Sequence, residues 1–162
     1  MGNVETADTN LVHLFPPFAE KVKLILAQVN HETEGKLPGI HGWIVEEGFR
    51  SQARQNWLYA QGRTRPGSIV TYKRGATGNH PKGLAVDIWP VDQHGNVIWS
   101  PNGSCWQWLG HAVRTQKMQT GQDYPKLNGG RFVDDPHVEP PLWQSLLWTI
   151  PARAYLKRIG VI

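Results

Sequence analysis

The stretch GNHPKGLAVDIWP, residues 78–90, decides how the rest of the chain is read. It opens as a glycine-flanked loop carrying His80 and closes as an apolar run that holds a carboxylate, Asp87. A strand through Leu84, Ala85, Val86, Asp87, Ile88 and Trp89 sends alternate side chains to opposite faces. Leu84, Val86 and Ile88 then share one face, and Ala85, Asp87 and Trp89 share the other. Asp87 therefore need not enter the core, and it lies on the side where His80 can meet it.

Working outward, Pro16-Pro17 opens a segment in which Phe18, Val22, Ile25, Leu26 and Val29 recur at helical spacing, predicting a helix that ends near Gly35. Residues 43–49 read as a short strand. Ser51 then suits the N-cap of a helix with Ala53, Trp57 and Leu58 on one side and Gly62 at its close. Arg50 falls at this strand-to-helix junction, a place from which a side chain can be aimed into a cleft. Pro66-Gly67 marks a turn, residues 68–72 a short strand, and residues 75–83 a glycine-rich loop. Further on, residues 91–103 are turn-rich, 106–118 read as a helix, 121–130 as irregular and 131–133 as a brief strand. Residues 140–148 and 152–159 form a final helical region interrupted at Pro151. Mixed helix and strand signals of this kind predict an α+β fold.

A chain of 162 residues accommodates one ordinary domain, so its site must be built on one core. Its 40% hydrophobic and 19% charged composition, with eight Trp, favours a folded globule. The Trp residues are expected mainly in the core, with Trp89 able to wall a cleft beside Asp87. The net charge of +4 favours anionic partners, whether nucleic acid, acidic lipid or bacterial wall. Lys and Arg are scattered, and no aromatic-basic motif marks a nucleic-acid module, so no nucleic-acid partner is expected. A single cysteine excludes an internal disulfide and a Cys-rich metal site, so any metal must rest on His and carboxylates. Cys105 has no nearby basic activator in sequence and reads as an inert thiol. The start shows no basic segment followed by a long apolar run, and no window is long enough to span a bilayer. The expectation is a soluble chain made in the cytoplasm without a signal peptide, with no membrane insertion.

Two patterns carry chemistry: His80-x6-Asp87 and Asp134-Asp135-Pro136-His137. Together they offer two imidazoles and a carboxylate for a metal, with a further carboxylate three residues before the last His. A hydrolytic zinc site takes three protein ligands and leaves a fourth position for water. Each spacing alone is weak evidence, because a loop histidine, a strand-end carboxylate and a turn histidine account for the same letters. His13, His31, His41, His94 and His111 have no matching carboxylate pattern and read as surface or satisfied core residues.

Three blocks in order change that weight: EEGFRSQARQNWLYAQGRTRPGSIVT (46–71), GNHPKGLAVDI (78–88) and GGRFVDDPHVE (129–139). In sequence and spacing they resemble the phage and bacterial L-alanyl-D-glutamate endopeptidases, zinc endolysins related to the D-alanyl-D-alanine carboxypeptidases. The resemblance covers about residues 43–140. It implies a small antiparallel sheet flanked by helices, with zinc in a cleft, the carboxypeptidase-like or hedgehog-type zinc peptidase fold. It makes His80, Asp87 and His137 the Zn2+ ligands and Asp134 the catalytic carboxylate. Asp135 competes with Asp134 for that role, and Glu139 reads as a solvated or supporting acid. Arg50 is similar to the family's arginine that contacts substrate and steadies the oxyanion, with an ion pair to Glu46 or Glu47 as the alternative. Gln55 reads as a hydrogen-bonding scaffold residue, and Ser68, Thr71, Trp89 and Arg131 as weak substrate contacts.

The chain departs from the family pattern at Asn79, where Ser or Thr is common, at Val138, where an aromatic is usual, and at Asn128 to Phe132. Arg131 reverses the charge of a frequent Asp near the cleft. The resemblance implies a monomeric single-domain zinc peptidase spanning residues 1–162, without a separate wall-binding domain, that cuts the L-alanyl-D-glutamate bond of peptidoglycan stem peptides. It would act on the bacterial wall after release, in a phage or prophage-like setting. The alternatives are a D,D-carboxypeptidase or dipeptidase acting on D-Ala-D-Ala ends, and a non-catalytic wall-binding module clamped by zinc.

Overall fold

Two prolines are harmless at the start of a helix, because the first N–H groups there have no acceptor within the helix. In the computed structural model, which describes residues 4–124 and 134–162, helix α1 runs from Pro16–Thr33. The apolar stripe is inward as its spacing predicts, with Phe18, Val22, Ile25 and Val29 fully buried. Strand β1 (Gly42–Glu47), helix α2 (Gln52–Ala60), strand β2 (Val86–Val91), helix α3 (Trp106–Thr115), strands β3 (Gln119–Thr120) and β4 (His137–Glu139), and helix α4 (Leu142–Arg158) follow. The strands form one antiparallel sheet in the order β1-β2-β4-β3. Helix α1 packs on β1 and α3, and its stripe joins Leu84, Val86, Ile88, Leu109 and Val138 in one core. This is the α+β arrangement of helices around a small antiparallel sheet.

Sheet register builds the site. Asp87 pairs with Glu47 on β1 and with His137 on β4. Directly paired residues of neighbouring strands point to the same face, so these three side chains stand in a row. Leu84, Val86 and Ile88 are fully buried on the other face, as alternation predicts. The register of β1 slips between Val45 and Glu47, and this irregularity sets Glu47 rather than Glu46 opposite Asp87. His80 arrives on a single 3-10 turn, His80–Lys82, closed by Gly83 at φ +67° with its N–H donating to the His80 carbonyl at 3.0 Å. That left-handed conformation, and the 3.0 Å that would separate a Cβ from the His13 carbonyl oxygen, favour glycine at this position.

Three expectations are corrected. Residues 68–72 form no strand; Ile69, Val70 and Tyr72 are exposed. Side chains tie this segment instead, with Gln55 Nε2 donating to Thr71 Oγ1 and to the Lys73 carbonyl, and Arg63 Nη1 donating to the Thr71 carbonyl. Helix α2 buries Arg54 and Gln55 rather than Ala53, Trp57 and Leu58, because their polar groups find partners inside. Helix α4 continues through Pro151. Proline removes one backbone donor, and the helix is anchored on both sides of it, by Ser145 and by buried Ala152 and Leu156. The tryptophans are mainly core as expected, with Trp43, Trp89, Trp106, Trp108 and Trp148 in or against it, while Trp99 and Trp143 are 61% and 63% exposed. The brief strand expected at residues 131–133 lies outside the described residues. Among the described residues, no helix is long and apolar enough to cross a membrane.

Candidate metal centre and active site

The two imidazoles meet Asp87 through different nitrogens, and each ring is turned by a bond to its other nitrogen. His80 Nδ1 donates to the Gly48 carbonyl at 2.7 Å, which leaves Nε2 for the site. His137 Nε2 donates to Glu139 Oε2 at 3.1 Å, which leaves Nδ1. Glu139 is held in turn by Asn79 Nδ2 at 2.7 Å and by the Tyr124 hydroxyl at 3.1 Å. Asn79 Oδ1 accepts from Ser145 Oγ of α4 at 3.1 Å. The departure at Asn79 thus has a structural role: it links the His80 turn, the Glu139 carboxylate and the last helix.

Three donor atoms form a nearly equilateral triangle. His80 Nε2 lies 3.4 Å from Asp87 Oδ1, His137 Nδ1 lies 3.2 Å from the same oxygen, and the two nitrogens are 3.3 Å apart. Ligands about 2.1 Å from a tetrahedral zinc ion are separated by roughly 3.4 Å, so the three atoms match one face of that tetrahedron. Among the described residues no fourth His, Cys, Asp or Glu joins this group. These residues are the group of potential metal ligands found among the described residues. Charge supports the fit. Burial opposes ionisation of Asp87, but the adjacent His80 and hydrogen bonds from both imidazoles hold its carboxyl well below the usual range. The same burial would lower His137, yet its bonds to Asp87 and Glu139 push it up to about 10.

Arg50 is buried behind the triangle. Its Nη2 donates to Glu47 Oε2 at 2.6 Å and to Asp87 Oδ2 at 3.2 Å, and its Nη1 donates to Gln55 Oε1 at 3.1 Å. Asp87 is therefore oriented from both ends, one oxygen facing the imidazoles and the other the guanidinium. The ion pair to Glu47 exists together with the bond to Asp87, so the guanidinium joins β1 to the metal-ligand carboxylate. Arg54 also donates through Nε to Glu47, so that buried carboxylate serves two guanidinium groups. Gln55 joins Arg50 to Thr71. Ser68 is exposed and joins none of these bonds.

Asp134 is brought to the triangle by a tight turn in which the His137 N–H donates to the Asp134 carbonyl at 3.1 Å. Pro136 stiffens that turn. Burial, reinforced by the negative charge of Asp87, raises the Asp134 carboxyl above its ordinary range, with His137, His80 and Arg50 opposing. A carboxylate raised toward neutrality is suited to taking and returning a proton. Beside it, Trp89, Trp99, Trp106, Asp134, Asp135 and Pro136 line a pocket of about 390 Å³. Trp89 lines this pocket, in ring contact with Trp99 at 5.0 Å and Trp106 at 5.4 Å. Arg131 lies outside the described residues. Sequence reasoning missed Tyr124 and Ser145, which carry no local motif, and the Gly48 carbonyl, whose role is a backbone one that the block around it does not reveal.

No protein-family model matches the sequence. The peptidoglycan L-alanyl-D-glutamate endopeptidase CwlK of Bacillus subtilis strain 168 is 39% identical over 103 residues, which cover 59% of this chain and 59% of that protein. The matching segment thus spans less than two thirds of that relative's length. Among solved structures, the Serratia marcescens L-Ala D-Glu endopeptidase ChiX superposes with a TM-score of 0.57 at 19% identity, covering 88% of this chain and 91% of that one. A vancomycin-resistance D,D-pentapeptidase VanY variant in complex with Zn(II) gives 0.52 at 15% identity, over 88% and 83%. The LdcB LD-carboxypeptidase gives 0.53 at 17% identity, over 85% and 71%. The chain shares the fold of these peptidases, as the three sequence blocks led us to expect.

Proposed function

We propose that this chain is a zinc-dependent peptidase, a single domain that hydrolyses the L-alanyl-D-glutamate bond of peptidoglycan stem peptides. The observation that carries this reading is the His80, Asp87 and His137 triangle with Asp134 beside it. Similarity to CwlK and ChiX, both named for that bond, favours it among peptidoglycan bonds. A role as an endolysin acting on the wall as a monomer completes the proposal.

His80 Nε2, Asp87 Oδ1 and His137 Nδ1 would hold the ion. Zinc, when bound, supplies a water molecule made acidic near neutral pH and polarises the scissile carbonyl. The Asp134 carboxylate accepts the proton as water adds to the carbonyl carbon. The same carboxyl then returns it to the amide nitrogen as the C–N bond breaks, giving a free amine and a carboxylate. Arg50 fixes Asp87, and its positive charge opposes the negative charge that gathers on the carbonyl oxygen. Trp89 and its neighbours bound the cleft on the Asp134 side.

The test is digestion of purified muropeptides with and without a chelator, read by mass. Cleavage between L-alanine and D-glutamate is expected, lost on chelation and restored by zinc. His137→Ala should lose zinc and cleavage while keeping its fold, and Asp134→Asn should keep zinc but lose cleavage. Release of terminal D-alanine would transfer the reading to the D,D-carboxypeptidase activity that the VanY likeness suggests. Wall binding without cleavage by the zinc-loaded protein, unchanged in Asp134→Asn, would favour the non-catalytic wall-binding alternative, and full cleavage by metal-free His137→Ala protein would end the zinc mechanism.

A further inference from the structure

Helix α4 faces outward with its more apolar side. Leu142, Trp143, Leu146, Leu147 and Ile150 are 74%, 63%, 67%, 68% and 80% exposed, whereas its buried positions are Ser145, Ala152 and Leu156. At 3.6 residues per turn the five exposed side chains fall within one arc of about 140°. A surface helix ordinarily turns such a stripe to the core, and a contiguous exposed apolar patch marks an interaction surface.

Charge identifies the occupant. The helix LWQSLLWTIPARAYLKR contains no Asp or Glu, and its cations Arg153, Lys157 and Arg158 are all exposed. By rotation Arg153 and Lys157 fall inside the same arc, and Arg158 falls about 20° beyond its edge. The outward face is thus apolar over its first half and cationic over its second. A second copy of this chain docked helix to helix would bring three further cations and no acid from α4 to pair with them. An anionic bilayer supplies both complements, acyl chains for the apolar half and phosphates for the cations, with Trp143 suited to the boundary.

We propose that the outward face of α4 docks this protein on an anionic phospholipid surface, lying in the interface without crossing it. The inference does not rest on the peptidase reading. It adds a geometric consequence, because Ser145 on the inward side of α4 bonds Asn79 beside His80. Docking through α4 would hold the His80, Asp87 and His137 cluster at a set height above the lipid.

Co-sedimentation of the full chain with phospholipid vesicles tests this. Vesicles of mixed phosphatidylglycerol and phosphatidylcholine are expected to carry the protein down, phosphatidylcholine vesicles are not, and added salt should weaken the binding. Leu146→Gln/Leu147→Gln should bind about tenfold or more weakly with unchanged melting temperature, since neither residue is buried in the fold. Arg153→Gln/Lys157→Gln should lose about 25-fold on anionic vesicles, from roughly fivefold per cation. Absence of binding to anionic vesicles, equal binding to both lipids, or binding unaffected by both double variants would overturn the proposal. So would a concentration-dependent dimer in sedimentation velocity that Leu146→Gln/Leu147→Gln abolishes, because the face would then belong to a second copy.

Discussion

His137 and Glu139 stand two residues apart on β4 and share a 3.1 Å hydrogen bond from Nε2 to Oε2. Alternation puts them on one face of the strand, so three residues of sequence provide both a metal ligand and the group that turns it. Glu139 is ionised in this arrangement. Burial opposes its charge, but hydrogen bonds from His137, Asn79 and Tyr124 hold its carboxyl below the usual range. A carboxylate on the far nitrogen fixes the ring and makes the near one a better donor. Glu139→Ala should weaken zinc binding about 10- to 100-fold, and Glu139→Gln should recover part of the loss through its amide oxygen. Competition against a chromophoric chelator measures both, and an unchanged affinity in Glu139→Ala would remove Glu139 from the site's support.

Gly121 lies against the backbone of Asp134. A Cβ there would overlap the Asp134 carbonyl oxygen and stand 2.7 Å from the Asp134 Cβ, so the two segments must separate to admit any side chain. Gly121→Ala should therefore displace Asp134 relative to the triangle without touching a metal ligand. Displacement of a proton-transfer group by about 1 Å can cost about 100-fold in rate. The expected result is a loss of that order in kcat with zinc affinity kept, seen by parallel turnover and metal titration. Equal losses of zinc and turnover would place the damage in the fold instead.

The sequence made the inward face of β2 legible because alternation over Leu84 to Ile88 is a local property of one strand. The stripe of α1 was legible for the same reason, and both are observed. Helix α2 was misread because its buried groups, Arg54 and Gln55, are satisfied by Glu47 and Arg50, partners that no hydrophobic period reports. The strand expected at residues 68–72 needs a neighbouring strand for its backbone, and the segment is instead held by Gln55 and Arg63. At the site, spacing alone left His80 and Asp87 ambiguous, and both were singled out by the three sequence blocks together. Tyr124 and Ser145 were not, since they reach Glu139 and Asn79 only after the sheet and α4 are assembled. In α4 the helical region was visible, but nothing in the residues themselves states which side faces the core.

Cys105 is 1% exposed, and burial followed by the negative charge of Asp135 pushes its thiol up to about 11. The nucleophile in alkylation and disulfide exchange is the thiolate. At pH 8 the native protein should therefore be nearly inert to a thiol reagent such as a disulfide chromophore. The same reagent should titrate one thiol per chain once denaturant is added. Rapid labelling of the native protein, before unfolding, would contradict the burial of this residue and the reading of it as an inert core side chain.

The His137 proton links metal loading to stability. In the metal-free protein burial would lower its pKa from 6.5, but hydrogen bonds to Asp87 and Glu139 outweigh that and raise it to about 10. The folded chain then binds this proton more tightly than the unfolded chain. The stability it contributes is fully present below about pH 6.5 and is lost as pH rises through about 10. Zinc must take the place of the proton on Nδ1, so loading at pH 7 releases protons and apparent affinity rises by about tenfold per pH unit for each proton displaced. Thermal melts of chelator-treated protein should accordingly show a melting temperature that falls across this alkaline window, a slope that zinc-loaded protein does not share. Proton release on zinc addition, followed in weakly buffered solution, checks the same linkage independently. A metal-free melting temperature that stays level across the window, with no proton released at pH 7, would show that His137 is neutral before the metal arrives.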